Sequence, residues 1–299
     1  MECRKMRGAL VAAAVVAAAA AVVAVFAVHG WCERRRSDAA AAERQAFLAR
    51  VGIVSDGRQP FVALPPSLPH GALQADLGRA MFCERKLART SRRTCGACHL
   101  LNEGGTDGKL HGGVLTRPVM NAVFAPAYLH DGSVTNLRGL VAHMVESPDF
   151  GGAGSLEKAV LRLAADEKLL ARFRAAYPDG LTASNVVDSI VQYCSTLVTG
   201  NMPFDQYCGG RADALTPQQI QGLGLFKARK CLSCHDGPAL GTMKVSEGRK
   251  VPALRGLSRR RVFLTDGSRG DLGAVLSLMP GGDLEAEERA ALVSFLKTL

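Results

Sequence analysis

Cys95-Gly96-Ala97-Cys98-His99 recurs as Cys231-Leu232-Ser233-Cys234-His235, 136 positions later. C-x-x-C-H is the attachment signature of c-type haem. Each thiol adds across a haem vinyl group, and the two-residue spacer matches the distance between the vinyls. The His that follows then lies under the iron as its proximal ligand. On this reading Cys95, Cys98, Cys231 and Cys234 carry two covalent haems, and His99 and His235 bind their irons. A redox dithiol of the thioredoxin kind needs a βαβ setting, and neither string follows a strand-like apolar run. A zinc site needs four N or S ligands in one place, which two strings so far apart do not supply.

Working outward, the apolar periodicity is helical throughout. Helices are expected over 74–85, 137–145, 156–176, 183–198, 218–227 and 284–299. Residues 37–70 read as a helix followed by a Pro-rich stretch from Pro60 to Pro69. The run from Gly104 to Gly113 reads as loop. Gly200-Asn201-Met202-Pro203 ends one unit and begins a linker. Thr216-Pro217 opens the next, with Pro in the first helical turn. No β alternation appears. The expected fold is all-α, with two cytochrome c-type domains in tandem: 37–205 around the first haem and 206–299 around the second.

The first 36 residues read as a targeting segment. Arg4, Lys5 and Arg7 precede an Ala/Val run from Gly8 to Val28, long enough to span a bilayer. It is either a cleaved signal peptide or an uncleaved anchor. Either way the remainder is exported, and the periplasm is the expected compartment, with residues 8–28 as the membrane contact if uncleaved. Of the formal charge of +10, these residues carry +4, from six Lys/Arg and two Asp/Glu. Two haems bring about four propionates against the remaining +6. Nothing here supports nucleic-acid binding. Arg259-Arg260-Arg261 reads either as a solvated loop or as a patch for an acidic redox partner. Of the other cysteines, Cys194 and Cys208 either close a disulfide or stay as thiols. Such a bridge would stabilise by roughly 3 kcal/mol.

The repeat extends beyond the haem strings. Asp131-Gly132-Ser133 returns as Asp266-Gly267-Ser268, Leu137 as Leu272 and Met144 as Met279, each 135 positions later. Met at equivalent places in two haem domains is a candidate distal ligand, since a thioether favours ferrous iron and raises the potential. Core filling is the competing role for both residues.

Taken together, Leu77-Gly78-Arg79-Ala80-Met81-Phe82, the first haem string, Asn121-Ala122-Val123-Phe124, Thr216-Pro217, Leu225-Phe226, the second string, Val251-Pro252-Ala253-Leu254-Arg255 and Asp266-Gly267 resemble the bacterial dihaem cytochrome c peroxidases. That family also includes the dihaem oxidases of methylamine utilisation. The resemblance covers roughly residues 73–299. It implies that the C-terminal haem, with His235 and Met279, is high-potential and accepts electrons from a small cytochrome c or cupredoxin. It implies that the N-terminal haem reduces hydrogen peroxide.

The N-terminal site departs from that pattern. The family's Trp-Asp-Gly-Arg is here His130-Asp131-Gly132-Ser133. The distal Glu that moves protons falls at Phe150, and Glu146 or Asp149 replaces it only if the loop is rebuilt. The removable distal His has a counterpart in His111, given a short deletion. The Asn that helps bind calcium between the domains falls near Leu115, which puts that calcium in doubt. His111 and His130 are therefore the candidate catalytic residues. If Met144 binds the first iron instead, both haems are six-coordinate and the chain is an electron-transfer cytochrome. The methylamine branch has Tyr where this chain has Met279, which argues against a protein-oxidising role.

Overall fold

A computed structural model describes residues 61–88, 93–147, 152–241, 245–246, 249–264 and 266–299. All lie within one compact unit, Ser55–Leu299, while the other unit, Met1–Val54, lies outside the described residues. The targeting segment read at 1–36, the helix expected from residue 37, Asp149 and Phe150 therefore lie outside them as well. No helix among the described residues is long and apolar enough to cross a membrane.

In the first half, α1 (Ala72–Phe82) is followed by a single turn α2 (Cys95–Cys98), a two-residue hairpin of β1 (Leu110–His111) and β2 (Val114–Leu115), and the helices α3 (Leu137–Glu146), α4 (Leu156–Leu163), α5 (Glu167–Ala176) and α6 (Ala183–Cys194). The second half holds α7 (Pro203–Cys208), α8 (Pro217–Ala228), a hairpin of β3 (Val245–Ser246) and β4 (Arg249–Lys250), α9 (Leu272–Leu276) and α10 (Ala286–Leu296). The fold is helix-rich. The two hairpins correct the expectation of no β structure. Each strand is two residues long, too short for alternation to register in sequence.

Side-chain caps set the helix ends. The Thr182 hydroxyl accepts from the Asn185 amide at the start of α6, and Thr216 and Gln219 cap each other reciprocally ahead of α8. The segment 156–176, read as one helix, is two. Asp166 breaks it by accepting from the amides of Lys168 and Leu169, which begins α5 afresh. The stretch read as linker contains α7, whose Asp205 carboxylate accepts from the Met202 amide.

Two hydrophobic cores form. Leu77, Met81, Phe173, Val186 and Ile190 are buried in the first, and Phe61, Phe204, Phe226, Leu292 and Phe295 in the second. Burying each such side chain stabilises by roughly 1.5–3 kcal/mol. Both cores are built on one helix crossing. A Cβ at Gly78 of α1 would lie 1.8 Å from the Ser189 carbonyl of α6, and one at Gly222 of α8 would lie 2.1 Å from the Ala291 carbonyl of α10. Glycine at each crossing lets the backbones meet. Cys194 belongs to the first core and Cys208 packs against the second, and both are free thiols. The disulfide reading is thereby corrected.

The 135-residue repeat is visible in the backbone. Asn121 and Gly256 both take the left-handed conformation, each opening a tight helical turn, at Ala122–Phe124 and Leu257–Arg259. Tyr128 pairs with Val134 as Phe263 pairs with Arg269. Inside each loop an Asp side chain accepts from the amide two residues on, Asp131 from Ser133 and Asp266 from Ser268, at 3.0 Å in both.

Candidate functional site

Thr94 caps the first string, its hydroxyl accepting from the Ala97 amide, so Cys95–Cys98 form one helical turn with both thiols half-buried. The His99 amide then donates to the Cys95 carbonyl at 2.9 Å, closing the turn. His99 Nδ1 lies 3.1 Å from the Gly105 carbonyl oxygen. That contact and a second one to the Arg117 backbone orient the ring. Burial pushes the His99 pKa down, favouring the neutral ring that ligates iron. Gly105 needs its hydrogen: with φ of 82°, a Cβ there would lie 2.9 Å from Met120.

The second string repeats this arrangement. Cys231–Ser233 form a tight turn entered through Lys230 in the left-handed region. The His235 amide donates to Cys231 at 2.9 Å, and His235 Nδ1 lies 3.3 Å from the Leu240 carbonyl oxygen. Burial again pushes the imidazole pKa down. Gly105 and Leu240 are related by the 135-residue repeat, as are the amides of Val119 and Leu254 that donate to them, at 3.0 and 3.3 Å. Two thiols and a neutral, oriented His fit a c-type haem, and the chain supplies that set twice.

The distal candidates differ between the sites. Met279 is half-buried in the turn after α9, its carbonyl accepting from the Gly282 amide at 2.9 Å. Gly282 has no room for a side chain, because a Cβ would lie 1.7 Å from the Leu276 carbonyl. Met144 is also half-buried but sits within α3, which continues to Glu146. The repeat thus preserves the residue while changing the backbone that carries it.

His111 sits on β1. Its Nε2 lies 2.8 Å from Asp107 Oδ2 and 3.8 Å from Cys98 Sγ. Burial pushes the Asp107 carboxyl up, but the His111 hydrogen bond and the Lys109 amide outweigh it and hold the group below its ordinary range. The His111 ring is thus held beside one thiol of the first haem string. His130 is exposed, and its carbonyl accepts from the Lys250 amide at 2.8 Å, joining the two repeats. Glu146 is exposed, and Leu115 places an apolar side chain where the family's calcium ligand is expected.

Two groups escaped sequence reasoning. Asp107 was legible only through its position four residues before His111. Arg255 was legible only as part of a family string. It is 2% exposed, and its Nη1 lies 2.7 Å from Asp205 Oδ1.

A family model described as di-haem cytochrome c peroxidase matches residues 72–213. Cytochrome c peroxidase Ccp of Escherichia coli is 29% identical over 283 residues, covering 81% of this chain and 61% of that protein. Cytochrome c551 peroxidase of Nitrosomonas europaea is 28% identical over 294 residues, covering 85% and 87%. Methylamine utilization protein MauG of Methylorubrum extorquens is 27% identical over 290 residues, covering 79% and 82%. Among solved structures, a MauG-like protein associated with microbial copper homeostasis aligns with a TM-score of 0.68 at 19% identity, covering 79% of this chain and 93% of the other. The diheme peroxidase BthA from Burkholderia thailandensis aligns at 0.59 and 14%, covering 80% and 89%. At those identities the structural likeness speaks for the fold alone.

Proposed function

The chain is a divergent member of the di-haem cytochrome c peroxidase family, and on that premise we propose that it holds two covalent c-type haems and reduces hydrogen peroxide with electrons from a small redox protein. The observation that carries this reading is the pair of proximal sites, alike at His99–Gly105 and His235–Leu240 but unlike in their distal surroundings. When bound, the haems supply one-electron redox chemistry and, at an open position, an iron that can take a peroxide oxygen.

Cys231 and Cys234 would attach the second haem, with His235 and Met279 as the ligands of its iron. The thioether raises the potential, which suits a centre that accepts electrons from a periplasmic cytochrome c or cupredoxin. Cys95, Cys98 and His99 would hold the first haem. Reducing one peroxide to two waters consumes two electrons and two protons. A proton must also move between the peroxide oxygens. His111 Nε2 lies 2.8 Å from Asp107 Oδ2, which orients that ring as the proposed acid–base group beside the first haem string. His130, exposed at the junction of the repeats, can exchange a proton with solvent. Export to the periplasm, with residues 8–28 as signal or anchor, completes the proposal.

A second reading is favoured by Met144. It lies in register with Met279, and a thioether on both irons would make the chain an electron-transfer cytochrome. Stopped-flow peroxide consumption with a reduced cytochrome c or cupredoxin donor separates the two. The peroxidase reading expects donor oxidation at two electrons per peroxide. Donor oxidation that peroxide does not accelerate contradicts it.

A further inference from the structure

The two proximal sites share one scaffold but differ at a position that is half-buried in the first repeat and buried in the second. In each repeat an amide, of Val119 or Leu254, donates to the carbonyl that faces the proximal His. The residue that follows is Met120 in the first repeat and Arg255 in the second. Met120 packs against the first core and lies beside Gly105.

Arg255 instead brings a charge into the interior. Besides the ion pair with Asp205, its Nη2 donates to the Val62 carbonyl at 2.7 Å, its Nε to the Pro238 carbonyl at 3.4 Å, and its guanidinium lies 5.0 Å from the Phe204 ring centroid. Its own amide donates to Ala239 at 3.2 Å, and that of Leu254 to Ala239 and Leu240 at 3.1 and 3.3 Å. Pro238, Ala239 and Leu240 are thus all held from the 254–255 segment. Leu240 is the residue whose carbonyl faces His235 Nδ1. Asp205 is anchored in turn, accepting from the amides of Leu64 and Met202.

Burying two charges is costly, and well-packed apolar replacements are often at least as stable. Met120, half-buried, shows that the first repeat takes an apolar side chain at the equivalent position without a charge pair. The ion pair therefore has a role beyond closing the fold.

We propose that Arg255, locked by Asp205, is a positioning residue for the second haem: it fixes the Pro238–Leu240 carbonyls and through them the His235 ring. At the equivalent position the first repeat has the uncharged Met120. The inference rests on His235 being the proximal ligand of an electron-accepting haem. A fixed Nδ1–H···O=C contact makes the imidazole a stronger donor to iron. Loosening it therefore raises the reduction potential of that haem.

The test is an optical redox titration of the holoprotein that resolves both haems. In Arg255→Met with Asp205→Asn, the buried charges leave together and the first repeat's solution is copied. The second haem should move to a more positive midpoint while the first stays in place. Arg255→Lys keeps the ion pair but cannot hold the Val62 and Pro238 carbonyls as well. It is expected to move the second haem in the same direction, and it answers the question if the double variant does not accumulate. Unmoved midpoints, or equal shifts in both haems, overturn the proposal. A wild-type protein without a high-potential six-coordinate haem contradicts the functional reading instead, so the two failures are distinguishable.

Discussion

Leu129 and Leu264 share a left-handed backbone, with φ of 61° and 65°, at positions 135 residues apart. Leucine rarely adopts that conformation, because its Cβ crowds the neighbouring carbonyl. Its recurrence at corresponding places shows that the loop geometry, and not local preference, is what the two halves have in common. Each loop leads into the helix, α3 or α9, that precedes or carries the repeated Met.

The helix crossings give the most direct stability prediction. Gly78→Ala drives a Cβ into the Ser189 carbonyl, backbone against backbone, and neither side can swing away. Overpacking of this kind costs about 1–3 kcal/mol. Gly222→Ala does the same at Ala291. Thermal unfolding of each holoprotein variant should show a lowered midpoint, and an unchanged midpoint would mean that the crossings are looser than described.

Thiol chemistry checks the placement of the cysteines outside the haem strings. Cys194 is 2% exposed, and burial pushes its thiol up to about 12, whereas Cys83 is exposed. Iodoacetamide on the folded holoprotein should label Cys83 rapidly and Cys194 only after unfolding. Peptide mapping should find no Cys194–Cys208 bridge.

With Met279 as the proposed distal ligand of the second iron, Met279→His exchanges a thioether for a harder nitrogen ligand. The potential of that haem should fall, read by the same two-haem titration. An unchanged potential would remove Met279 from the ligand set.

The acid limb of stability has an identifiable contributor in Asp166. The Lys86 ammonium and the Leu169 amide hold its carboxyl below the ordinary value of 3.8. A depressed carboxylate pKa contributes stability that is present above the unfolded value and lost as pH falls through the folded one. Asp166→Asn should therefore lower stability at pH 6 and flatten its decline below about pH 4. Urea unfolding at a series of pH values measures both effects.

Much of this architecture was legible in sequence. The haem strings, the Asp-Gly-Ser loops and the Met144–Met279 pair are local patterns, and the structure repeats the loop geometry around Asp131 and Asp266. The longer helices were legible because their periodicity and caps coincide. What escaped was set by tertiary contacts. Asp166 breaks a periodic run by capping within it, which periodicity alone cannot register. Asp205 and Arg255 lie 50 positions apart, and only the folded chain brings them together. The neighbours of His111, Asp107 and Cys98, come together with it only when the hairpin closes.

The central claim is that the two haem sites are chemically unequal, one passing electrons and one reducing peroxide. EPR of the holoprotein, oxidised and then half-reduced, with and without peroxide, tests it most directly. The account predicts a low-spin second haem that is reduced first, a high-spin signal at the first haem on half-reduction, and loss of that signal when peroxide is added. Two low-spin haems that persist through half-reduction and ignore peroxide would contradict it and leave an electron-transfer cytochrome.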